Sequence, residues 1–165
     1  MRGIPDEVPG GDGPTRAEID AFQTAARDLI GVALRSLDVL AGEVSLPQFR
    51  MLLVLRELGR CPSSHAAQAL GLGPSSVTRL ADRLHASGHL ARGTDAHHRG
   101  VVTLELTALG SRLVDEVLDW RHHEFARILA RLEPAERAAT AAGLRAFHQV
   151  VGDGYAADLH GPVPL

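Results

Sequence analysis

The chain has no lysine and a single cysteine, Cys61, among 165 residues. One cysteine excludes an intramolecular disulfide framework. Without lysine, every cationic contact must come from arginine, an absence that a coding bias toward arginine explains better than selection for any one contact. Aromatic residues make up only 4%, so the core must be built from Leu, Val and Ala rather than rings. No apolar run approaches the ~20 residues that span a bilayer. The N-terminal MRGIPDEVPGGDG also lacks the apolar centre of a signal peptide. A cytoplasmic protein with no membrane partner is expected. There is no phosphate loop, no His-Glu-x-x-His and no glycine-flanked nucleophile elbow. The expectation is a protein that is not an enzyme and carries no cofactor.

Net charge is small but unevenly distributed. The net charge is −3, yet residues 45–107 hold seven arginines (50, 56, 60, 79, 83, 92, 99) against four acids (57, 82, 95, 105). That segment is locally +3, which leaves the rest of the chain at −6. Exposed charges act only within roughly 8–10 Å, so a local excess suits a surface facing phosphates better than the net value suggests.

The length allows one compact domain with a real core. Residues 1–14 are rich in Pro and Gly and read as a disordered tail. From Thr15 to about residue 41, Phe22, Ala26, Leu29, Ala33, Leu37 and Leu40 recur at three- and four-residue steps, predicting one long helix with a buried face. Ser45-Leu46-Pro47-Gln48 is a capping-box start for a second helix through Phe49, Leu52, Leu53 and Leu55 to about Gly59. Residues 59–62 break it. A short helix from Ser63 or Ser64 to Leu70, the turn Gly71-Leu72-Gly73, and a helix opened by Pro74 follow, the last with Val77, Leu80, Ala81 and Leu84 inward.

After Gly88 the period changes to two. Residues 89–92 and 101–106 read as two strands of a hairpin, with Val102, Leu104 and Leu106 on one face. Thr107 caps a helix of about 25 residues carrying Leu109, Leu113, Val117, Trp120, Ile128 and Leu132, nearly 40 Å long at ~1.5 Å per residue. Such a helix outruns the core of a small monomer. A last helix runs from Pro134 to about residue 151, and residues 152–165 read as a loose tail. The long helices of 15–41 and 108–151 therefore predict a symmetric homodimer around a DNA-binding unit of 42–107. The fold class is mainly α with a small β-hairpin wing, a winged helix-turn-helix between N- and C-terminal dimerisation helices.

The helix PSSVTRLADRL carries the chemistry. Ser75 and Ser76 stand at its N-terminus, where free N–H groups and short hydroxyls approach phosphates. Thr78 and Arg79 follow, with Arg83 one turn on, and arginine is the common bidentate reader of guanine. A plain amphipathic surface helix would look similar alone, but the order helix, turn, helix, hairpin favours major-groove docking.

The runs SLPQFRMLLVLRELG, AAQALGLGPSSVTRLADRLHASGHLAR and DAHHRGVVTLELTALG resemble the MarR family of winged-helix regulators over about residues 15–150. The resemblance implies a mainly helical homodimer whose recognition helices read half-sites of a pseudo-palindrome. It also implies wings in the flanking minor grooves, and often release by a small ligand bound between the lobes. By position, Ser76, Thr78, Arg79 and Arg83 match the recognition-helix contacts, and Arg99 the first wing arginine. Arg27, Arg50, Met51 and Trp120 are ligand candidates by their helix positions, the ligand being small and aromatic or lipophilic.

The wing departs from the family pattern of Asp-Pro, one variable residue, then Asp-Arg-Arg. Here it reads Asp95-Ala96-His97-His98-Arg99-Gly100. Either the wing contributes less, or His97 and His98 donate to phosphates, in which case binding strengthens as pH falls through roughly 6.5. The altered wing also leaves open an adaptor that has lost DNA binding. Adjacent His122 and His123 point ~100° apart on a helix and do not make a metal site. Cys61 has no resolving partner and reads as an incidental buried thiol.

Overall fold

The computed structural model describes residues 13–95, 98 and 100–158. Six helices and three short strands follow in order: α1 (Arg16–Arg35), α2 (Leu46–Leu58), β1 (Cys61–Pro62), α3 (Ser63–Leu70), α4 (Pro74–Ala86), β2 (Leu90–Thr94), β3 (Val102–Leu106), α5 (Ala108–Leu129) and α6 (Pro134–Asp158). The mainly helical fold with a small β wing is the one expected.

The core forms around α2. Phe49 and the unbroken run Met51–Leu55 are all buried, which for a helix requires neighbours on every side. Those neighbours are α3, α4, α5 and β3. Val77, Ala81 and Leu84 of α4, Leu104 of β3, and Val114 and Val117 of α5 close the cluster. At the start of α2 the Ser45 N–H donates to Gln48 Oε1 at 2.7 Å, the reach-back the sequence predicts.

Several expectations need correction. The first helix does not run to residue 41. It ends at Arg35, continues as a 3-10 segment over Ser36–Leu40, and stops at Ala41, whose φ of 46° is left-handed. Ser36 sits at the change. Its fully buried hydroxyl donates to the Ala33 carbonyl at 2.6 Å and accepts from Arg121 Nε at 2.7 Å, and such side-chain bonds compete with the helical ladder. The stripe expected to be buried along α1 is covered only near its C-terminal end. Phe22 is 54% and Leu29 41% exposed within one chain.

The sheet has three strands, not two, in the order β1-β3-β2. Residues 61–62, expected to be only a break, pair with β3 as Cys61↔Leu104 and Pro62↔Thr103. The predicted alternation also fails at one end, since Val102 is 46% exposed and Thr103 is buried. Helix α5 stops at Leu129, before Leu132, so its 22 residues span roughly 33 Å at ~1.5 Å each rather than 40. Helix α6 passes residue 151 and ends at Asp158, correcting the loose tail there. Gly152 and Gly154 weaken a helix by only about 1 kcal/mol each. The rest of the two expected tails, 1–12 and 159–165, lies outside the described residues.

Candidate nucleic-acid interface

Helices α3 and α4 meet through a turn that needs glycine at one position. Gly71 closes α3 in the left-handed region at φ 64°, and the Leu72 N–H returns to the Ala67 carbonyl at 3.0 Å. This chain reversal matches the Schellman form of a helix end. Gly73 caps α4 and Pro74 occupies its first turn. Because Gly73 brings no side chain to the cap, nothing from the cap residue covers the N–H groups at the helix start.

The inward stripe of α4 is set as expected, with Val77, Ala81 and Leu84 at most 1% exposed. Ser75, Thr78, Arg79 and Arg83 are all exposed and Ser76 is half-buried. Their spacing puts them on one side of the helix. Two of them have local partners: the Thr78 hydroxyl donates to the Pro74 carbonyl at 3.0 Å, and Arg79 Nη2 donates to Ser76 Oγ at 3.4 Å. Arg83 makes no ion pair among the described residues.

One acidic group stands within this face, and the sequence reading missed its significance. Asp82 is exposed between Arg79 and Arg83. An isolated carboxylate there would repel phosphates. Arg92 of β2 neutralises it, with Nη1 at 2.7 Å from Asp82 Oδ1 and Nη2 donating to the Thr78 carbonyl at 3.1 Å. No short-range pattern could have joined positions 82 and 92, since they sit on different elements.

The positive excess of residues 45–107 is also less outward than counting suggested. Arg56 donates to Ser111 Oγ at 2.6 Å and pairs with Asp115. Arg60 bonds across the sheet to Thr94 and Thr103, and Arg92 is held by Asp82. Arg50 is half-buried, with Nε lacking a partner among the described residues. Arg79 and Arg83 are the described arginines of this segment that face outward without an ion pair.

The wing is the β2–β3 hairpin, last paired at Thr94↔Val102. Beyond it the Asp95 N–H donates to the Val101 carbonyl at 3.0 Å, and the Val101 N–H to that of His98 at 2.9 Å. Asp95 Oδ1 accepts the His98 N–H at 2.9 Å and lies 3.6 Å from His98 Nδ1. The His98 ring is 78% exposed. His97 and Arg99 lie outside the described residues.

The four ligand candidates scatter in character. Arg27 is exposed and stands 3.8 Å from Asp28, Met51 is fully buried in the core, and Arg50 and Trp120 are half-buried. A shallow apolar recess elsewhere is lined by Ile30, Ala33, Leu34, Leu37 and Leu46, none of them a candidate. Among the described residues no three His, Cys, Asp or Glu side chains gather to hold a metal. No helix among the described residues is long and apolar enough to cross a membrane. Cys61 is a buried thiol whose pKa burial pushes up.

A sequence profile of the MarR family matches residues 43–99, the stretch that contains the helix-turn-helix and the first wing strand. Over that segment the chain belongs to the MarR family. It is 30% identical over 102 residues to the HTH-type transcriptional regulator YfiV of Bacillus subtilis, covering 62% of this chain and 64% of that one. It is 34% identical over 93 residues to the HTH-type transcriptional repressor MdtR of the same organism, covering 56% and 60%. In both cases the match spans less than two thirds of the relative's length. A MarR family protein from Bacillus stearothermophilus superposes with a TM-score of 0.73 at 26% identity, over 84% of this chain and 99% of that one. The MarR fold thus extends beyond the profile match, through the long helices at both ends.

Proposed function

We propose that this MarR protein is a homodimeric, sequence-specific DNA-binding transcription regulator that acts as a repressor. The observation that carries this reading is the outward row of Ser75, Thr78, Arg79 and Arg83 on α4. It is presented from a buried helix stripe, and its one internal acid is neutralised by Arg92. A helix so held can dock in the major groove, where arginine discriminates guanine by about 1–3 kcal/mol per matched base. The repressor role has support in the likeness to MdtR.

The dimer reading rests on apolar surface that one chain leaves open. Ile19 and Phe22 of α1 and Phe147 and Val150 of α6 are each more than 40% exposed. Phe22 and Phe147 already pack together at a centroid distance of 5.3 Å. A second copy would cover this α1–α6 face and space two recognition helices about one DNA turn apart. A small aromatic or lipophilic effector suits the recess beside α1 and α2, whose lining is entirely apolar. Of the four candidate residues, Arg50 has a buried donor without a partner among the described residues.

A gel-shift titration with the DNA upstream of the chain's own coding sequence tests the reading, at fixed salt and against non-specific competitor. The parent should shift a discrete site. Arg79→Ala should lose specificity while remaining dimeric by light scattering. A parent that shifts no DNA better than competitor points instead to a winged-helix adaptor. An Arg79→Ala variant as specific as the parent overturns the recognition-helix assignment.

A further inference from the structure

Arg60 stands in the turn between α2 and β1, and its guanidinium lies across the outer face of the sheet. Nη2 donates to the Thr94 carbonyl at 3.0 Å and Nε to Thr103 Oγ1 at 3.3 Å. Glu105 is 3.7 Å from Nε. Thr94 ends β2, whereas Thr103 and Glu105 belong to β3. The register sets Pro62, Thr103 and Gly93 in one row across the three strands. A side chain that starts two residues before Pro62 therefore crosses the whole sheet to reach the last residue of β2. This covering explains why Thr103 is 5% exposed on a face that should be open.

Gly93 keeps the path clear. A Cβ at that position would stand 2.9 Å from Arg60 Nη2 and 3.0 Å from Thr103 Oγ1. Gly93 is not among the positive-φ glycines, so the requirement is for space and not for backbone freedom. Alanine would otherwise be the better residue in a strand, since glycine there leaves the chain more entropy to lose. Of the two crowded atoms, the guanidinium at the end of a flexible side chain is the one that would move.

We propose that Arg60 is a positioning residue for the wing. It straps the root of the β2–β3 hairpin to the end of α2, and so fixes the direction in which β2 and β3 run out at Thr94 and Val102. Arg92 does the complementary task on the other face, tying β2 to α4. Together they make the recognition helix and the wing root one body, so that a helix seated in the major groove places the wing in register on the flanking DNA. A planar fork suits this job because two separate nitrogens reach Thr94 and Thr103, whereas a lysine ammonium offers all its donors from one point. The inference rests on the DNA-binding reading above.

The test uses hydroxyl-radical footprinting on a duplex that the full-length parent selects from a random pool. The parent should protect the centre of each half-site and its flank. Arg60→Ala and Gly93→Ala should each keep the centre, lose the flank, and bind roughly tenfold more weakly. Arg60→Lys should behave like Arg60→Ala. Adding Gly93→Ala to Arg60→Ala should cost less than about twofold more, because the two changes remove one contact set. Binding retained in Arg60→Lys with Gly93→Ala neutral would mean that Arg60 touches phosphate itself, which overturns the proposal. Loss at centre and flank in equal proportion marks plain destabilisation and also overturns it. A parent that selects no duplex overturns the DNA-binding reading, and the strap's role with it. Specific binding with intact flanks in both variants overturns the strap alone. Without DNA, amide exchange at Asp95 and Val101 should quicken several-fold in Gly93→Ala while α4 is unchanged; unaltered rates at those two amides count against the strap.

Discussion

Arg92 and Asp82 form the closest link between the wing and the recognition helix, an ion pair of 2.7 Å between β2 and α4. The same guanidinium also donates to the Thr78 carbonyl at 3.1 Å. The orientation of the reading face is therefore set from a second element, and not by α4 alone.

Breaking that link should separate stability from recognition. Arg92 and Asp82 are 29% and 57% exposed in their side chains, so water screens the pair, and Arg92→Met should cost about 0.5–1 kcal/mol in urea unfolding. Specific DNA affinity should fall by more than that, because the exposed Asp82 carboxylate is left uncompensated toward phosphates. Equal losses in the two measurements would show that the pair merely stabilises the fold.

Phe147 should decide the oligomeric state. It is 49% exposed in one chain and packs on Phe22. Phe147→Glu places a charge in the face proposed to meet a second copy, where burial without a partner is prohibitive. Light scattering should report a dimer for the parent and a monomer for the variant. A variant that stays dimeric at micromolar concentration removes α6 from the interface.

Gly110 holds the start of α5 against the wing. It follows the Thr107 cap, whose hydroxyl donates to the Gly88 carbonyl at 2.7 Å and accepts the Gly110 N–H at 3.1 Å. A methyl group at Gly110 would collide with the carbonyl oxygen of His89, a backbone atom that cannot swing aside. Gly110→Ala should therefore destabilise by about 1–3 kcal/mol despite alanine's better helix propensity. An unfolding midpoint equal to or above that of the parent contradicts this packing.

Cys61 should be chemically quiet. Burial raises its pKa and outweighs the hydrogen bond involving the Ala66 backbone, which acts the other way. The thiolate is the reactive form, so a disulfide reagent near pH 7.5 should label the native chain slowly and the denatured chain at once. The linkage has a definite sign. A folded-state value above the unfolded one gives a contribution fully present below about 8.5, which is lost as pH rises through the folded value. Rapid stoichiometric labelling of the native protein would contradict the burial.

The local sequence determined a good deal. Helical periodicity, the Ser45–Gln48 cap, the glycines at 71 and 73 and Pro74 are signals carried by residues within four positions of one another. They placed α2, α3, the turn and α4 within a residue or two of where they lie. The outward row on α4 was legible for the same reason, since the buried stripe of Val77, Ala81 and Leu84 dictates the opposite face.

Tertiary structure decided what those outward residues meet. Counting charge in residues 45–107 treated seven arginines alike, but Arg56, Arg60 and Arg92 turn inward to partners on α5, β2, β3 and α4. Strand β1 has two residues and no pattern of its own; it exists because β3 offers it a partner. Helix α1 gives way to a 3-10 segment at Ser36, whose hydroxyl is held by Arg121, 85 residues away. The physical division is one of range. Backbone preference and burial of a stripe are local and repeat along the chain, whereas a guanidinium on a long flexible stem pairs with whatever acceptor the fold brings near.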